Sequence, residues 1–271
     1  MDNKLIHNIP EVVRILFEGA EAAPTGVYVK PNDTIIRARY GHGHHSVAKL
    51  TYRPEEECLE LQRASIQYES VFYGCLGEQM IEDQDGFQAI KRAMATCAAE
   101  TSRLMRNPDA EDGYEERSFS QWNIMRRLRV ISFITDETFT DSISSELAFF
   151  RDLYVKRMSL LTETQREIMR YINHEFTKPV ESDKEYEFTA NLCHYLMQEY
   201  RIREQRIDAI IYPSVQTRGE LGVNIAISKK ASDEALEFEH LFENVLIKRG
   251  RDVVLTVQRQ YNSCFELMNG T

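Results

Sequence analysis

The sequence lacks the features that mark membrane and disulfide-rich secreted proteins. Its 271 residues contain no apolar run near the roughly 20 residues that cross a bilayer. The N-terminal stretch carries acidic residues and a proline within its apolar part, so we expect no secretory leader. The five cysteines are scattered and include no C-x-x-C pair, which argues against a disulfide framework or a zinc site. These absences predict a soluble protein in a reducing, cytoplasmic environment.

Basic residues are in the minority. The chain has 33 Lys and Arg against 43 Asp and Glu, which gives a formal net charge of −10. Phosphate backbones repel such a chain unless it gathers its cations into one patch. Direct binding to nucleic acids or anionic membranes is therefore disfavoured. Hydrophobic residues make up 42% and charged residues 28%, a balance typical of globular proteins rather than disordered ones.

Several well-known catalytic signatures are also missing. The sequence has no G-x-x-x-x-G-K-[ST], G-x-G-x-x-G, H-E-x-x-H or G-x-S-x-G motif, so Walker-type, Rossmann and serine-hydrolase chemistry lose their usual signals. His42, His44 and His45 form a cluster in a glycine-containing turn without a spaced acidic or cysteine partner. We interpret this cluster as an exposed turn and expect no metal.

Helical and strand patterns are intermixed along the chain. The predicted helices are 11–17, 86–105, 144–158, 163–176 and 185–201. The predicted strands are 34–39, 70–73, 129–134, 208–212, 223–227 and 253–257. Residues 22–33 and 107–121 are expected to form loops. Because strands and helices do not alternate regularly, the pattern predicts an α+β fold, and nothing forces a division into domains.

Glu100 occupies a distinctive position in the strongest helical pattern, residues 86–105. Apolar residues recur there at three- and four-residue steps and form one stripe. Glu100 lies on the shoulder of that stripe, bordered by small residues such as Ala93 and Ala99. A carboxylate at that position can point into a cleft while its helix stays packed.

Three other polar positions stand out together with Glu100. Arg63 precedes the predicted strand 70–73, Tyr73 closes that strand, and Ser214 follows the predicted strand 208–212. Taken singly, these side chains could be a surface cation, a packed aromatic ring and a turn residue, and Glu100 could be a solvated helix residue. Their joint occurrence is the reason to consider a site.

The surrounding segments resemble a known family. T-I-I-R-A-R, Q-R-A-S with S-V-F-Y-G, C-A-A-E-T, and I-D-A-I-I-Y-P-S-V with G-V-N-I-A-I occur in this order between residues 34 and 227. They resemble the RES domain, which is named for its Arg, Glu and Ser residues. The resemblance implies an ADP-ribosyltransferase-like fold: a mixed or antiparallel β-sheet core with surrounding helices and a helical insertion. It implies a single domain over 1–271, with a core at about 34–227, an N-terminal helical extension 1–33 and a C-terminal extension 228–271.

The resemblance also assigns roles to individual residues. It implies Arg63, Tyr73, Glu100 and Ser214 as catalytic residues, and Arg37, Arg63, Tyr73 and Ser214 as residues that bind the dinucleotide. Arg39 is the alternative to Arg37 for the arginine of the first strand.

Two other acids lie in the interval that contains the family's glutamate. Glu78 and Glu82 belong to the acidic stretch 78–85, between Tyr73 and Glu100. Glu100 is preferred over both because its A-A-E-T context and its helical position fit the family.

Members of this family degrade NAD⁺, and many are toxins of toxin–antitoxin pairs. Breaking the nicotinamide–ribose bond leaves an oxocarbenium-like sugar, which a fixed carboxylate stabilises, and arginine forks suit the two phosphates. The acceptor defines the reaction: water gives a glycohydrolase and inorganic phosphate a phosphorylase. The alternatives are an ADP-ribosyltransferase acting on a macromolecular target and a non-catalytic interaction module. NAD⁺ as substrate, inorganic phosphate, an antitoxin protein and a second copy of the chain are the candidate partners.

Overall fold

A computed structural model of the protein describes residues 8–18, 26–44, 46–77, 86–107, 109–139, 143–202, 204–218 and 220–261. The strands are β1 (Gly26–Val29), β2 (Thr34–Tyr40), β3 (Val71–Leu76), β4 (Gly113–Ile124), β5 (Leu128–Ser132), β6 (Ala209–Pro213), β7 (Val223–Ser228), β8 (Leu236–Arg249) and β9 (Asp252–Tyr261). The α-helices are α1 (Ile9–Phe17), α2 (Val47–Leu50), α3 (Gly86–Thr101), α4 (Arg103–Arg106), α5 (Ser145–Met158), α6 (Glu163–Thr177), α7 (Glu187–His194) and α8 (Lys229–Ala235). Short 3₁₀ segments at Glu55–Glu57 and Asp183–Tyr186 and a π-helical turn at Tyr195–Glu199 complete these elements.

The nine strands form one sheet in the order β1-β5-β6-β7-β3-β2-β4-β8-β9. Every neighbouring pair is antiparallel except β5 and β6, which run parallel. This mostly antiparallel sheet with its helices confirms the predicted α+β class.

Both faces of the sheet's centre are buried. On β6, Ile210 belongs to the apolar cluster under α1, α6 and α7, whereas the next residue, Ile211, belongs to the cluster under α5 and α8. A third cluster packs α3 against β2, β3 and β4. Because successive side chains of a strand point to opposite faces, burial on both sides explains why apolar residues fill β6 and, apart from Asn224 and the terminal Ser228, β7.

Three strands lie where the sequence did not predict them. Residues 107–121 were expected to form a loop, but β4 occupies most of that range and pairs with β2 and β8. Its buried positions include Ser118 and Ser120, so composition alone made a central strand look like a polar loop. β1 lies within the expected loop 22–33, and β8 was missed because charged residues interrupt its apolar ones.

The predicted terminal extensions contribute to the same sheet as residues 34–227. β1, from the N-terminal part, pairs with β5, and the β8–β9 hairpin continues the sheet beyond β4. The N-terminal part thus holds a strand in addition to the expected helix. Among the described residues, no helix combines the length and the apolar character needed to cross a bilayer.

The sheet separates at its centre, between β2 and β3. β2 pairs with β4 over its whole length, but its register with β3 includes only Ile35–Leu76 and Ile36–Cys75. Beyond these pairs the second half of β2 and the first half of β3 diverge. Gly74 sits at the point of divergence, where an added Cβ would lie 2.5 Å from Ile35 Cγ2 and 2.8 Å from the Ile36 carbonyl oxygen. The glycine therefore permits the close approach at which the two strands part.

Candidate active site

A cleft of about 500 Å³ lies where β2 and β3 separate. Its walls come from both strands, from the end of α3 and from the Asp183–Tyr186 segment. Six arginines line it: Arg37, Arg39, Arg53, Arg63, Arg106 and Arg117. Among the described residues that line the cleft, Glu100 is the only carboxylate. A protein with a net charge of −10 has therefore concentrated positive charge around one acid.

The Glu100 carboxylate is fixed by two neutral donors. One of its oxygens, Oε1, accepts from the Ser214 hydroxyl at 2.7 Å and from Nδ2 of Asn224 at 3.0 Å. The Oδ1 of Asn224 in turn accepts from the Cys75 thiol at 3.2 Å. Glu100 is partly exposed, so one end of the carboxylate is anchored while the side chain still faces the cleft.

Ser214 has a different place from the one expected. Its side chain is fully buried behind Glu100, and its hydroxyl also accepts from the Thr217 backbone N–H at 3.3 Å. The expected contact of Ser214 with the dinucleotide does not fit this burial. The geometry instead gives Ser214 the role of a positioning residue for Glu100.

Asn224 was missed by the sequence reasoning, although the sequence carries a signal for it. It is the one amide in the apolar run of β7, and its side chain is only 5% exposed. A polar side chain inside a buried strand needs hydrogen-bond partners. Asn224 finds them in Glu100 and Cys75.

Arg37 and Arg39, the two candidates for the arginine of the first strand, both line the cleft. Arg37 is 7% exposed and donates through Nη1 to the Tyr73 carbonyl oxygen at 2.5 Å, across the gap between β2 and β3. Arg39 donates through Nη2 to the Thr51 carbonyl oxygen. Burial is the main cause that lowers the pKa of both guanidinium groups. The second cause is repulsion, from Arg39 in the case of Arg37 and from Arg53 in the case of Arg39.

Arg63 lines the cleft and binds the C-terminal end of α6. Its Nη1 donates to the Phe176 carbonyl oxygen at 2.8 Å and to the Glu175 carbonyl oxygen at 3.3 Å, in the last turn of α6. Its guanidinium lies 4.9 Å from the centre of the Tyr186 ring. A cation is favourable at a helix C-terminus and over an aromatic face. Arg63 thus contacts α6 through the two carbonyl oxygens and the Asp183–Tyr186 segment through Tyr186, which lines the cleft.

Tyr73 lines the cleft, and its hydroxyl is hydrogen-bonded within the protein. The hydroxyl donates to Ser65 Oγ at 2.9 Å and accepts from the Ala64 N–H at 3.2 Å. Burial raises the pKa of Tyr73, and also that of Tyr212 beside it, so both phenols are neutral. The aromatic face of Tyr73 is therefore suited to packing rather than to proton transfer.

Three arginines around the cleft carry an unused donor. Among the described residues, the buried Nε atoms of Arg37, Arg39 and Arg117 have no hydrogen-bond partner. Arg117 is otherwise occupied, since it donates to the Glu115 carboxylate and to the Thr101 carbonyl oxygen. Buried donors without acceptors are costly, so these three arginines lower the stability of the protein around the cleft.

Two acids and the histidine cluster are the remaining candidates of the sequence analysis. Glu78 and Glu82 lie outside the described residues, as does His45. His42 Nε2 lies 2.8 Å from the Asn244 carbonyl oxygen, and His44 Nε2 lies 3.1 Å from the Tyr40 carbonyl oxygen. In the described ranges, no group of three or more His, Cys, Asp or Glu is arranged to hold a metal ion.

Comparison of the sequence with models of known protein families found no match, and comparison with curated proteins found none either. The resemblance to the RES domain therefore rests on the motifs quoted above. The function is argued from the geometry of the cleft.

Proposed function

We propose that this protein degrades NAD⁺ by breaking the N-glycosidic bond between nicotinamide and ribose. We also propose that its sheet is of the ADP-ribosyltransferase type. The observation that carries the proposal is Glu100, a carboxylate held by Ser214 and Asn224 in a cleft whose other charged lining residues are arginines. The cleft combines one anionic point for a developing cation with donors for phosphate oxygens.

The chemistry follows from where the charge moves. The bond between ribose C1″ and the pyridinium nitrogen breaks, its electron pair stays on the nitrogen, and neutral nicotinamide leaves. The sugar becomes an oxocarbenium-like cation, which the Glu100 carboxylate stabilises. Arg37 and Arg63 hold the pyrophosphate through their forked donors, and the ring of Tyr73 packs against nicotinamide. The fixed position of Glu100 matters because a preorganised charge needs no rearrangement during the reaction.

The acceptor then attacks C1″. Inorganic phosphate yields ADP-ribose-1″-phosphate, and water yields ADP-ribose and a proton. The surplus of arginines around the cleft favours phosphate, because a second anion needs donors of its own. A phosphorylase of this kind drains a central cofactor, which fits the proposed role of a toxin restrained by an antitoxin.

The test is to incubate the purified full-length chain with NAD⁺, with and without inorganic phosphate, and to identify the products by mass spectrometry. Release of nicotinamide with ADP-ribose-1″-phosphate or ADP-ribose is the expected result, and its rate should fall on the order of 10²–10³-fold with Glu100→Gln but stay unchanged with Glu111→Gln. Glu111 is an exposed acid outside the cleft and serves as the matched control. Intact NAD⁺ after hours under both conditions contradicts the proposal. A mass increase on a protein or nucleic acid added to the reaction would instead identify a macromolecular acceptor.

A further inference from the structure

Two cysteines that lie far apart in the sequence meet where β2 and β3 separate. Cys75 of β3 and Cys97 of α3 belong to the same buried cluster, and the Cys97 thiol interacts directly with that of Cys75. The Cys97 thiol also donates to the Ile36 carbonyl oxygen at 3.1 Å, and Ile36 is the residue of β2 that pairs with Cys75. Both cysteines line the cleft, so a small reagent that enters the cleft can reach the two sulfur atoms.

The pair is connected to Glu100 through the side chain of Asn224. The Cys75 thiol donates to Oδ1 of Asn224 at 3.2 Å, and Nδ2 of Asn224 donates to the Glu100 carboxylate at 3.0 Å. Cys97 precedes Glu100 by about one turn of α3 and therefore lies on the same side of that helix. A change at the two sulfur atoms thus acts on the amide that helps to fix Glu100.

We infer that Cys75 and Cys97 are a modification site, at which hydrogen peroxide forms a disulfide that lowers the activity of the protein. One thiol is oxidised by the peroxide to a sulfenic acid, and one molecule of water is released. The sulfur of the other thiol then attacks the sulfenic acid, the S–S bond forms, and a second molecule of water leaves. The two sulfur atoms are oxidised, and the peroxide is reduced to water.

The disulfide removes the hydrogen that Cys75 donates to Asn224. Oδ1 of Asn224 then loses this donor inside a buried strand, and a buried acceptor without a partner is costly. The amide loses a contact that sets its orientation, so its Nδ2 holds Glu100 less firmly. This effect on activity rests on the proposed function, whereas the formation of the disulfide does not.

The experiment treats the purified full-length chain with hydrogen peroxide at alkaline pH, because burial raises the pKa of the Cys75 thiol and the thiolate is the form that reacts. The remaining free thiols are then alkylated in denaturant, and the peptides are identified by mass spectrometry. A disulfide between Cys75 and Cys97 is expected in the wild type and in Cys193→Ala, and none is expected at Cys75 in Cys97→Ala. Cys193 is the matched control, since it is also buried but belongs to the cluster under α1, α6 and α7. Thiols of Cys75 and Cys97 that stay free, or that pair with other cysteines, overturn the inference.

The kinetic readout tests the connection to Glu100. Oxidation of the wild type should lower kcat for nicotinamide release by roughly tenfold, the effect of about one lost hydrogen bond, and a dithiol reductant should restore it. Cys97→Ala should keep its kcat through the same treatment. If that variant does not fold, Cys97→Ser takes its place, because a serine hydroxyl can still donate to the Ile36 carbonyl oxygen.

Two results of the kinetic readout contradict the inference. They are a disulfide between Cys75 and Cys97 that leaves kcat unchanged, and a loss of activity that the reductant does not reverse. If the reduced protein does not cleave NAD⁺, the proposed function fails, while the peptide analysis still decides whether the disulfide forms.

Discussion

The charge of Glu100 is supported by neutral hydrogen-bond donors. Within the described residues it forms no ion pair, and its hydrogen bonds come from the neutral side chains of Ser214 and Asn224. A carboxylate paired with arginine would have its charge partly neutralised before the reaction begins. Here the Glu100 charge is not neutralised in that way, while six arginines lie around the same cleft. In the proposed reaction Glu100 stabilises the cationic sugar, and the arginines bind the phosphates.

Glu100→Gln should leave the fold intact and lower kcat for nicotinamide release on the order of 10²–10³-fold, because it removes one preorganised charge while preserving size and hydrogen bonding. The measurement is steady-state kinetics together with thermal unfolding to confirm the fold. Activity within a few fold of the wild type would show that another carboxylate performs this role.

Ser214→Ala should lower kcat by roughly tenfold and change KM much less, because the hydroxyl orients Glu100 and does not reach the cleft. Ser232→Ala is the matched control, since Ser232 is also buried and donates to a backbone carbonyl of α8's N-cap residue Ser228. Both variants should lose similar stability in urea. A rise in KM with unchanged kcat for Ser214→Ala would mean that the serine contacts the substrate directly.

At the scale of single elements, the cleft depends on how β2 and β3 meet. The two strands approach closely at Gly74 and diverge beyond it. The cleft therefore begins next to this glycine. α6 contributes from the other side, because its last carbonyls bind Arg63. The helices and the sheet thus build the cleft together.

Gly74→Ala should destabilise the protein by about 1–3 kcal/mol, because the added methyl group overlaps Ile35 and the Ile36 carbonyl oxygen. Gly113→Ala in β4 is the control, since its nearest neighbour would be Leu104 at 3.7 Å, an ordinary contact. Urea unfolding of both variants checks the prediction. Equal stability of the two variants would show that β2 and β3 can move apart freely at Gly74.

Arg63→Gln should lower the free energy of unfolding by roughly 1.5–3 kcal/mol, the usual contribution of hydrogen bonds to a charged group. The cause is the loss of the cation that binds the carbonyl oxygens of Glu175 and Phe176 at the end of α6. Urea unfolding is the measurement, and the exposed Arg251→Gln is the control. If both variants unfold at the same urea concentration, α6 does not depend on Arg63.

The sequence predicts elements well where their pattern is strongly periodic. The helices predicted at 144–158 and 163–176 match α5 and α6 within one residue at each end, because each carries a polar N-cap, Ser144 and Thr162, before its apolar stripe. β4 and β8 were missed because polar and charged residues interrupt their apolar ones, and their pairing with each other is a long-range contact that no local pattern reveals. Strand order, and with it the gap between β2 and β3, depends on such long-range pairing.

The sequence predicted which residues lie at the candidate site better than it predicted what each residue does there. The resemblance to the RES domain implied Arg37, Arg63, Tyr73 and Glu100 as residues of one site, and the structure brings all four to one cleft. Ser214 changed from a ligand contact to a positioning residue because burial is a property of the folded chain. The contribution of Arg117 required the pairing of β4 with β2.

At the scale of the whole molecule, charge is distributed unevenly. The chain carries a net charge of −10, yet the cleft gathers six of its 33 basic residues. The arginines of the cleft attract an anionic ligand. This contrast concentrates the ligand at the cleft and makes binding sensitive to salt.

KM for NAD⁺ should rise several fold between 0.1 M and 1 M KCl, because the screening length falls from about 10 Å to about 3 Å. kcat should change less, since Glu100 acts at short range within the cleft. Initial rates over a range of NAD⁺ concentrations at each salt level provide the measurement. A KM that does not respond to salt would mean that the arginines do not attract the dinucleotide.

The parting of β2 from β3 has a mechanical consequence. A ligand bound to Arg37 on one strand and Tyr73 on the other would link β2 to β3 where they no longer pair. Its binding would therefore stabilise the native state, and the melting temperature would rise with ligand concentration. Under the proposed function the ligand is NAD⁺, so a cell that exhausts its NAD⁺ would leave the protein without ligand and more easily unfolded.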